Sequence, residues 1–219
     1  MTRFPRLIVF DLDGTLVDSR RDLADSANAV LGQCGAGPLP EEELGRMVGD
    51  GAATLVARAF AATGCTPPPD ALARFLSIYN QRLLQWTRPY TGIPEVLATL
   101  AERTPLAVLT NKPLAPTRQI LAGLQLEHFF APDAVVGGDG PFPRKPDPAG
   151  LHHLASTVSG VPAQETVLVG DSFVDFRTAR AAGVGICLAS YGFGFDGIPA
   201  GELESARIVR SPADLLAVL

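Results

Sequence analysis

Two carboxylates spaced two residues apart, Asp11 and Asp13, end the apolar run in "LIVFDLDGTLVDS" (7–19), and Gly14 and Thr15 follow at once. In extended backbone, residues i and i+2 project to the same side, so both acids can face one pocket, and the glycine allows a tight turn and close backbone approach. Three later segments add to this set: "TNK" with Thr110, Asn111 and Lys112, "RKPDP" with Lys145, and "GDSFVD" with Asp171 and Asp175. Several carboxylates near one point repel and are commonly compensated by a hard cation. An all-oxygen set of acids suits Mg2+, which Asp11 and Asp171 could hold together. Such a site keeps room for water and substrate phosphate, so the pattern points to phosphoester chemistry, with Lys145 bringing the opposite charge to the phosphate.

Competing readings of "DLDG" are weaker. An EF-hand also sets acids at alternate positions before a glycine, but with Gly14 as its sixth position the twelfth is Arg20, where a bidentate glutamate is required. No GxxxxGK[ST] phosphate loop occurs. A single acid commonly caps a helix, and for one aspartate alone that reading would prevail. The whole D-x-D-G-T pattern, however, arises by accident in roughly one chain of this length in several hundred, from average usage.

The 18 basic residues comprise only two lysines, Lys112 and Lys145, and both fall in these motifs. A compact ammonium acts as a point charge that arginine's planar fork does not reproduce. The net charge of −5 provides no basic footprint for nucleic acid. No apolar stretch approaches the roughly 20 residues of a bilayer span, and "MTRFPRLIVF" lacks a signal-peptide cleavage site, so no membrane association and a cytoplasmic location are expected. Cys34, Cys65 and Cys187 are scattered, without the spacing of a disulfide framework or a zinc site, and His128, His152 and His153 read as surface residues.

What must position the acids is a set of short apolar runs at 7–10, 106–109, 134–136, 166–169 and 184–188, alternating with segments of helical period after Gly92 and from 115, 147 and 172. The expected fold is α/β, a doubly wound, Rossmann-like parallel sheet with helices on both faces. Residues 18–88 carry helical patterns and no good strand, with stripes at Leu23, Ala27, Val30 and Leu31 and at Leu72, Phe75, Leu76, Tyr79 and Leu83. The expected organisation is therefore a core of 1–17 and 89–219 with a helical domain, 18–88, inserted after the first strand. In open parallel sheets ligands bind beyond the carboxyl ends of the strands, which is where every chemically armed motif falls.

Asp11-Leu12-Asp13-Gly14-Thr15, Thr110-Asn111-Lys112, Lys145 in "RKPDP" and Gly170-Asp171-Ser172 with Asp175 together resemble the motif set of the haloacid dehalogenase superfamily of phosphohydrolases, within it the phosphoglycolate phosphatase-like group. The helical insertion stands where that family carries its cap domain. The resemblance implies a magnesium-dependent phosphatase acting on a small phosphorylated metabolite. Asp11 would be the nucleophile and Asp13 the general acid and base. Mg2+ would be bound by Asp11, the Asp13 carbonyl and Asp171, with Asp175 in support. Thr110 would bond a phosphoryl oxygen, Asn111 would contribute its backbone amide, and Lys145 would neutralise developing charge. Lys112 matches the "TNKP" wording of the group, and its role stays open between a site group and a surface ion pair.

Among relatives, the magnesium-binding pair argues against dehalogenation. A phosphonate-cleaving Schiff base needs a lysine in the inserted segment, and residues 16–88 contain none. Sugar-phosphate or amino-sugar-phosphate phosphatases, pyrophosphatases, phosphomutases and a noncatalytic phospho-ligand binder stay open as alternatives, as does the choice between monomer and homodimer. Leaving-group contacts are expected from "GRMVGDGAATL" (45–55), where Arg46, Gly49 and Asp50 are the candidate residues. The group commonly has Asn at the position of Asp50, and an acid there would repel a carboxylate substrate. Arg46 could offset it with a fork suited to a carboxylate, although a solvated helix arginine is the plainer reading.

Overall fold

The computed structural model describes residues 4–160, 162–204 and 206–219. Residues 1–3 of the "MTRFPRLIVF" segment lie outside them. The strands are β1 (Leu7–Phe10), β2 (Val17–Asp18), β3 (Arg88–Pro89), β4 (Leu106–Leu109), β5 (Val135–Val136), β6 (Thr166–Gly170), β7 (Gly185–Ala189) and β8 (Arg207–Val209). Six of them form one sheet in the order β5-β4-β1-β6-β7-β8. Every pairing in that sheet is parallel. This is the α/β fold expected from the alternation of apolar runs and helical segments.

The central strand shows why the runs are continuous rather than alternating. All four residues of β1 are fully buried, but Ile8 and Phe10 pack into one core cluster while Leu7 and Val9 pack into a second. A strand covered on both faces needs apolar side chains at every position. The helices α1 (Arg20–Gln33), α2 (Glu41–Gly45), α3 (Ala52–Ala62) and α4 (Ala71–Asn80) all lie between β2 and β3, and α5 (Ile93–Ala101), α6 (Leu114–Gly123), α7 (Ala149–Leu154) and α8 (Phe173–Ala182) follow among the later strands. On α1 the stripe Leu23, Ala27, Val30 and Leu31 is buried; on α4 Phe75 and Tyr79 are buried and Leu72 and Leu76 only partly so.

The chain enters and leaves the four-helix segment through a two-stranded antiparallel ribbon in which Val17 faces Pro89 and Asp18 faces Arg88. Asp22 reinforces this crossing: its fully buried Oδ2 accepts hydrogen bonds from Trp86 N (2.9 Å), Thr87 N (2.8 Å) and Thr87 Oγ1 (2.8 Å). The sequence reading misses β2, β3 and β8. Two-residue ribbons and a short edge strand are too brief to carry a period of their own.

Candidate functional site

Asp11 is the first residue past β1. Its N–H donates to Val169 O at 2.9 Å, which extends the β1–β6 ladder by one step and fixes where the side chain leaves the sheet. Its Oδ1 accepts from Leu12 N at 2.7 Å and lies 2.9 Å from Lys145 Nζ. The turn that follows is held by Gly14 N donating to Val17 O at 2.9 Å. Gly14 has φ +85°, and a Cβ there would overlap the Asp171 carboxylate, so the glycine is required both by backbone conformation and by the approach of a second acid.

Asp171 follows β6 and accepts from Gly194 N at 2.8 Å. Asp175, four residues on, is wholly buried, not a surface acid. Ser172 caps α8, and its Oγ lies 2.6 Å from Asp175 Oδ2. Asp175 Oδ1 is 2.6 Å from Lys145 Nζ. Lys145 thus spans Asp11 and Asp175, with its side chain 1% exposed.

Carboxylate oxygens of Asp11, Asp171 and Asp175 lie within 4.8 Å of one another. Burial pushes the Asp11 carboxyl up to about 6, with Lys145 opposing and Asp175 adding to the shift. Burial, then the charges of Asp175 and Asp11, push Asp171 well above the usual carboxylate range. The same acids hold Lys145 protonated against its own desolvation. Three buried acids facing one ammonium form a donor set that a divalent, oxygen-seeking cation fits, because it would supply the missing positive charge.

Asp13 faces the cavity beside Asp11. Its Oδ1 accepts from Ser19 Oγ at 2.6 Å, and its Oδ2 lies 2.8 Å from Lys112 Nζ. Lys112 is buried, which rules out the surface ion pair. Thr110, at the end of β4, accepts from Lys112 N at 3.2 Å and so keeps its own O–H free to donate elsewhere. Asn111 uses its side chain rather than its amide alone: Nδ2 donates to Gly49 O at 2.9 Å and to Lys145 O at 3.0 Å, joining the helical segment to the strand edge.

These groups line a cavity of about 50 Å³, room for only a few water-sized atoms. Its floor is Asp11, Asp13, Thr110, Asn111 and Lys112; its roof, from the helical segment, includes Leu23, Val48, Leu55, Phe75, Leu76 and Tyr79. Gly49, at φ +118°, also lines it. The other two loop candidates do not. Asp50 turns to Arg58, with 2.7 Å between Oδ2 and Nη2, and Arg46 is exposed at the end of α2.

Sequence reasoning did not pick out Tyr79 or Ser19. Tyr79 read as one more member of an apolar stripe, and its hydroxyl, the one polar atom there, was the available signal. Ser19 lay inside the quoted "LVDS" but carried no motif of its own.

The sequence profile described as "haloacid dehalogenase-like hydrolase" matches residues 8–189, most of the chain. The chain belongs to the haloacid dehalogenase-like hydrolase family. Within that family it is 45% identical over 198 residues to a phosphoglycolate phosphatase of Rhodospirillum rubrum, covering 86% of this chain and 81% of the relative. A phosphoglycolate phosphatase of Haemophilus influenzae is 36% identical and is matched over 98% of both chains. A crystal structure described as a predicted phosphoglycolate phosphatase from Haemophilus somnus superimposes with a TM-score of 0.90 at 32% identity, covering 100% of this chain and 99% of that one. The haloacid dehalogenase-like match begins inside β1 and ends with β7, so it takes in the ends of β1, β4 and β6 that carry Asp11, Thr110 and Asp171. Among the described residues no helix is long and apolar enough to cross a membrane.

Proposed function

We propose that the protein is a magnesium-dependent phosphatase that hydrolyses phosphoglycolate, or a close carboxylate-bearing phosphoester, through an aspartyl-phosphate at Asp11. The observation that carries this reading is the buried constellation at the strand ends: Lys145 Nζ 2.9 Å from Asp11, Asp13 beside it, and three acids within 4.8 Å. The names of the relatives supply the substrate.

An Asp11 carboxylate oxygen attacks phosphorus, and the bond from phosphorus to the leaving oxygen breaks. Asp13 gives that oxygen a proton as it departs. Asp13 then takes a proton from water, the hydroxide attacks phosphorus, and the Asp11–phosphorus bond breaks. Thr110 donates its hydroxyl proton to a phosphoryl oxygen, and Lys145 offsets charge on the others. Asp175 is a positioning residue that acts through its neighbours: its Oδ1 holds Lys145 and its Oδ2 holds Ser172 at the start of α8. Asp11, Asp171 and the Asp13 carbonyl would hold Mg2+, which when bound lowers the repulsion between the Asp11 carboxylate and an anionic phosphate.

The roof explains how water is kept out. Residues 18–88 act as a cap that opens and closes about the ribbon at 17–18 and 88–89, and Asn111 latches the closed form through Gly49. The apolar roof and the small volume favour a short leaving group over a sugar. Asp50, neutralised by Arg58, does not set an acid against a carboxylate substrate. The test is a panel of phosphorylated metabolites with Mg2+, with and without chelator. Phosphate release is expected to be greatest from phosphoglycolate and to vanish with chelator. Release unaffected by chelator, or a preference for uncharged leaving groups, would defeat the reading.

A further inference from the structure

Lys112 meets Tyr79 across the interface between the strand ends and the helical segment: Nζ lies 2.8 Å from the phenolic oxygen. It also lies 2.8 Å from Asp13 Oδ2. An ammonium has three N–H donors, and these two contacts use two of them. The phenolic oxygen accepts from Lys112, so its own proton is still to be placed. Burial pushes the Tyr79 hydroxyl up to about 12, and the group keeps that proton at neutral pH. Among the described residues, neither the third Lys112 proton nor the Tyr79 proton has an acceptor. Buried donors of this kind need a partner, and both residues line the cavity.

Two adjacent donors, one of them charged, fit two carboxylate oxygens. Lys112 is also the sole lysine or arginine lining the cavity among the described residues. The position relative to Asp13 fits as well. In an O–CH2–COO⁻ leaving group the carboxylate oxygens lie about 3 Å from the ester oxygen, from ordinary bond lengths. If that oxygen sits against Asp13, the carboxylate falls within reach of an ammonium that is itself 2.8 Å from Asp13.

We infer that Lys112 Nζ and Tyr79 Oη together form the subsite for the carboxylate of the leaving group and so set substrate specificity, an inference that rests on the phosphoglycolate reading above. Tyr79 comes from α4, so the subsite is complete only when the helical segment stands over the strand ends. A carboxylate that bonds both residues also ties the two together.

The test compares kcat/KM for phosphoglycolate and for ethyl phosphate, which has the same skeleton without the carboxylate, in the native protein, Lys112→Met and Tyr79→Phe. The readout is the ratio of the two values, because loss of general activity through Asp13 lowers both together. Tyr79→Phe keeps the ring and removes one hydroxyl, so it preserves the packing. The native ratio is expected to favour phosphoglycolate, and to fall about tenfold to hundredfold in Lys112→Met and several-fold in Tyr79→Phe. A native preference that both variants retain would overturn the subsite and leave the phosphatase reading standing. A native enzyme with no preference for phosphoglycolate would overturn the phosphoglycolate reading, and the subsite with it.

Discussion

Lys145 and Asp175 form an ion pair of 2.6 Å in which neither side chain is more than 1% exposed. An acid that never meets solvent thus fixes the charge facing Asp11, and Asp175 is itself fixed by the Ser172 cap of α8. Lys145→Met is expected to lower phosphate release by about 10²–10³-fold, the scale of losing one preorganised charge at a developing anion. It also strands buried acids, so the thermal midpoint should fall unless Mg2+ is present. Steady-state kinetics and thermal unfolding with and without Mg2+ check both; near-native activity would remove Lys145 from the mechanism.

Gly14→Ala tests the approach of the two acid-bearing loops. The position has φ +85°, and a methyl group would overlap Asp171. A backbone cost of about 1–2 kcal/mol is expected from conformation alone, with a further loss of Mg2+ affinity as Asp171 is displaced. Gly35→Ala is the control: φ is +75° there but the space is open, so it should show the backbone cost without the metal effect. Chemical denaturation and Mg2+ titration of both variants separate the two terms.

Asp22 carries no part of the proposed chemistry but closes the base of the helical segment. Asp22→Ala leaves the Trp86 N–H and the buried Thr87 N–H and hydroxyl without their acceptor. Each stranded donor costs about 1–3 kcal/mol, so a loss of several kcal/mol is expected in urea unfolding. A change below about 1 kcal/mol would show that the crossing is held by other means.

Divalent-ion binding should depend on pH through Asp11 and Asp171. Burial raises both above the ordinary value of 3.8, Asp11 to about 6. Between pH 4 and 6 the folded protein therefore holds an Asp11 proton that the unfolded chain has released. The stability this contributes is fully present below the unfolded pKa and is lost as pH rises through about 6. A cation binds the ionised form, so Mg2+ affinity should weaken by roughly tenfold or more per unit as pH falls below about 6, with proton release on binding. Calorimetric titration from pH 5 to 8 measures this directly; an affinity flat across that range would contradict it.

How much was legible in the sequence follows from length and from chemistry. β1, β4, β6 and β7 are long enough and apolar enough to read as strands, and their ends named Asp11, Thr110 and Asp171. The two-residue strands β2 and β3 were invisible, because pairing across 70 residues leaves no local period. Lys112 stands out by composition, yet its partner is not legible: Tyr79 reaches Lys112 only through the packing of α4 over the strand ends. Arg46 and Asp50 belong to a glycine-bearing loop whose sequence predicts that it faces substrate. The loop does reach the cavity at Gly49 and Gly51, but the Asp50 carboxylate turns to Arg58.

The most direct measurement is the covalent state of Asp11 during turnover. Rapid acid quench of the native enzyme turning over phosphate-labelled phosphoglycolate with Mg2+, followed by peptide mapping, is expected to place phosphate on the peptide containing Asp11, the residue that attacks phosphorus. The same experiment on Asp11→Asn should yield no label and no turnover. Phosphate release by Asp11→Asn at the native rate, or label on any other residue, would contradict the account.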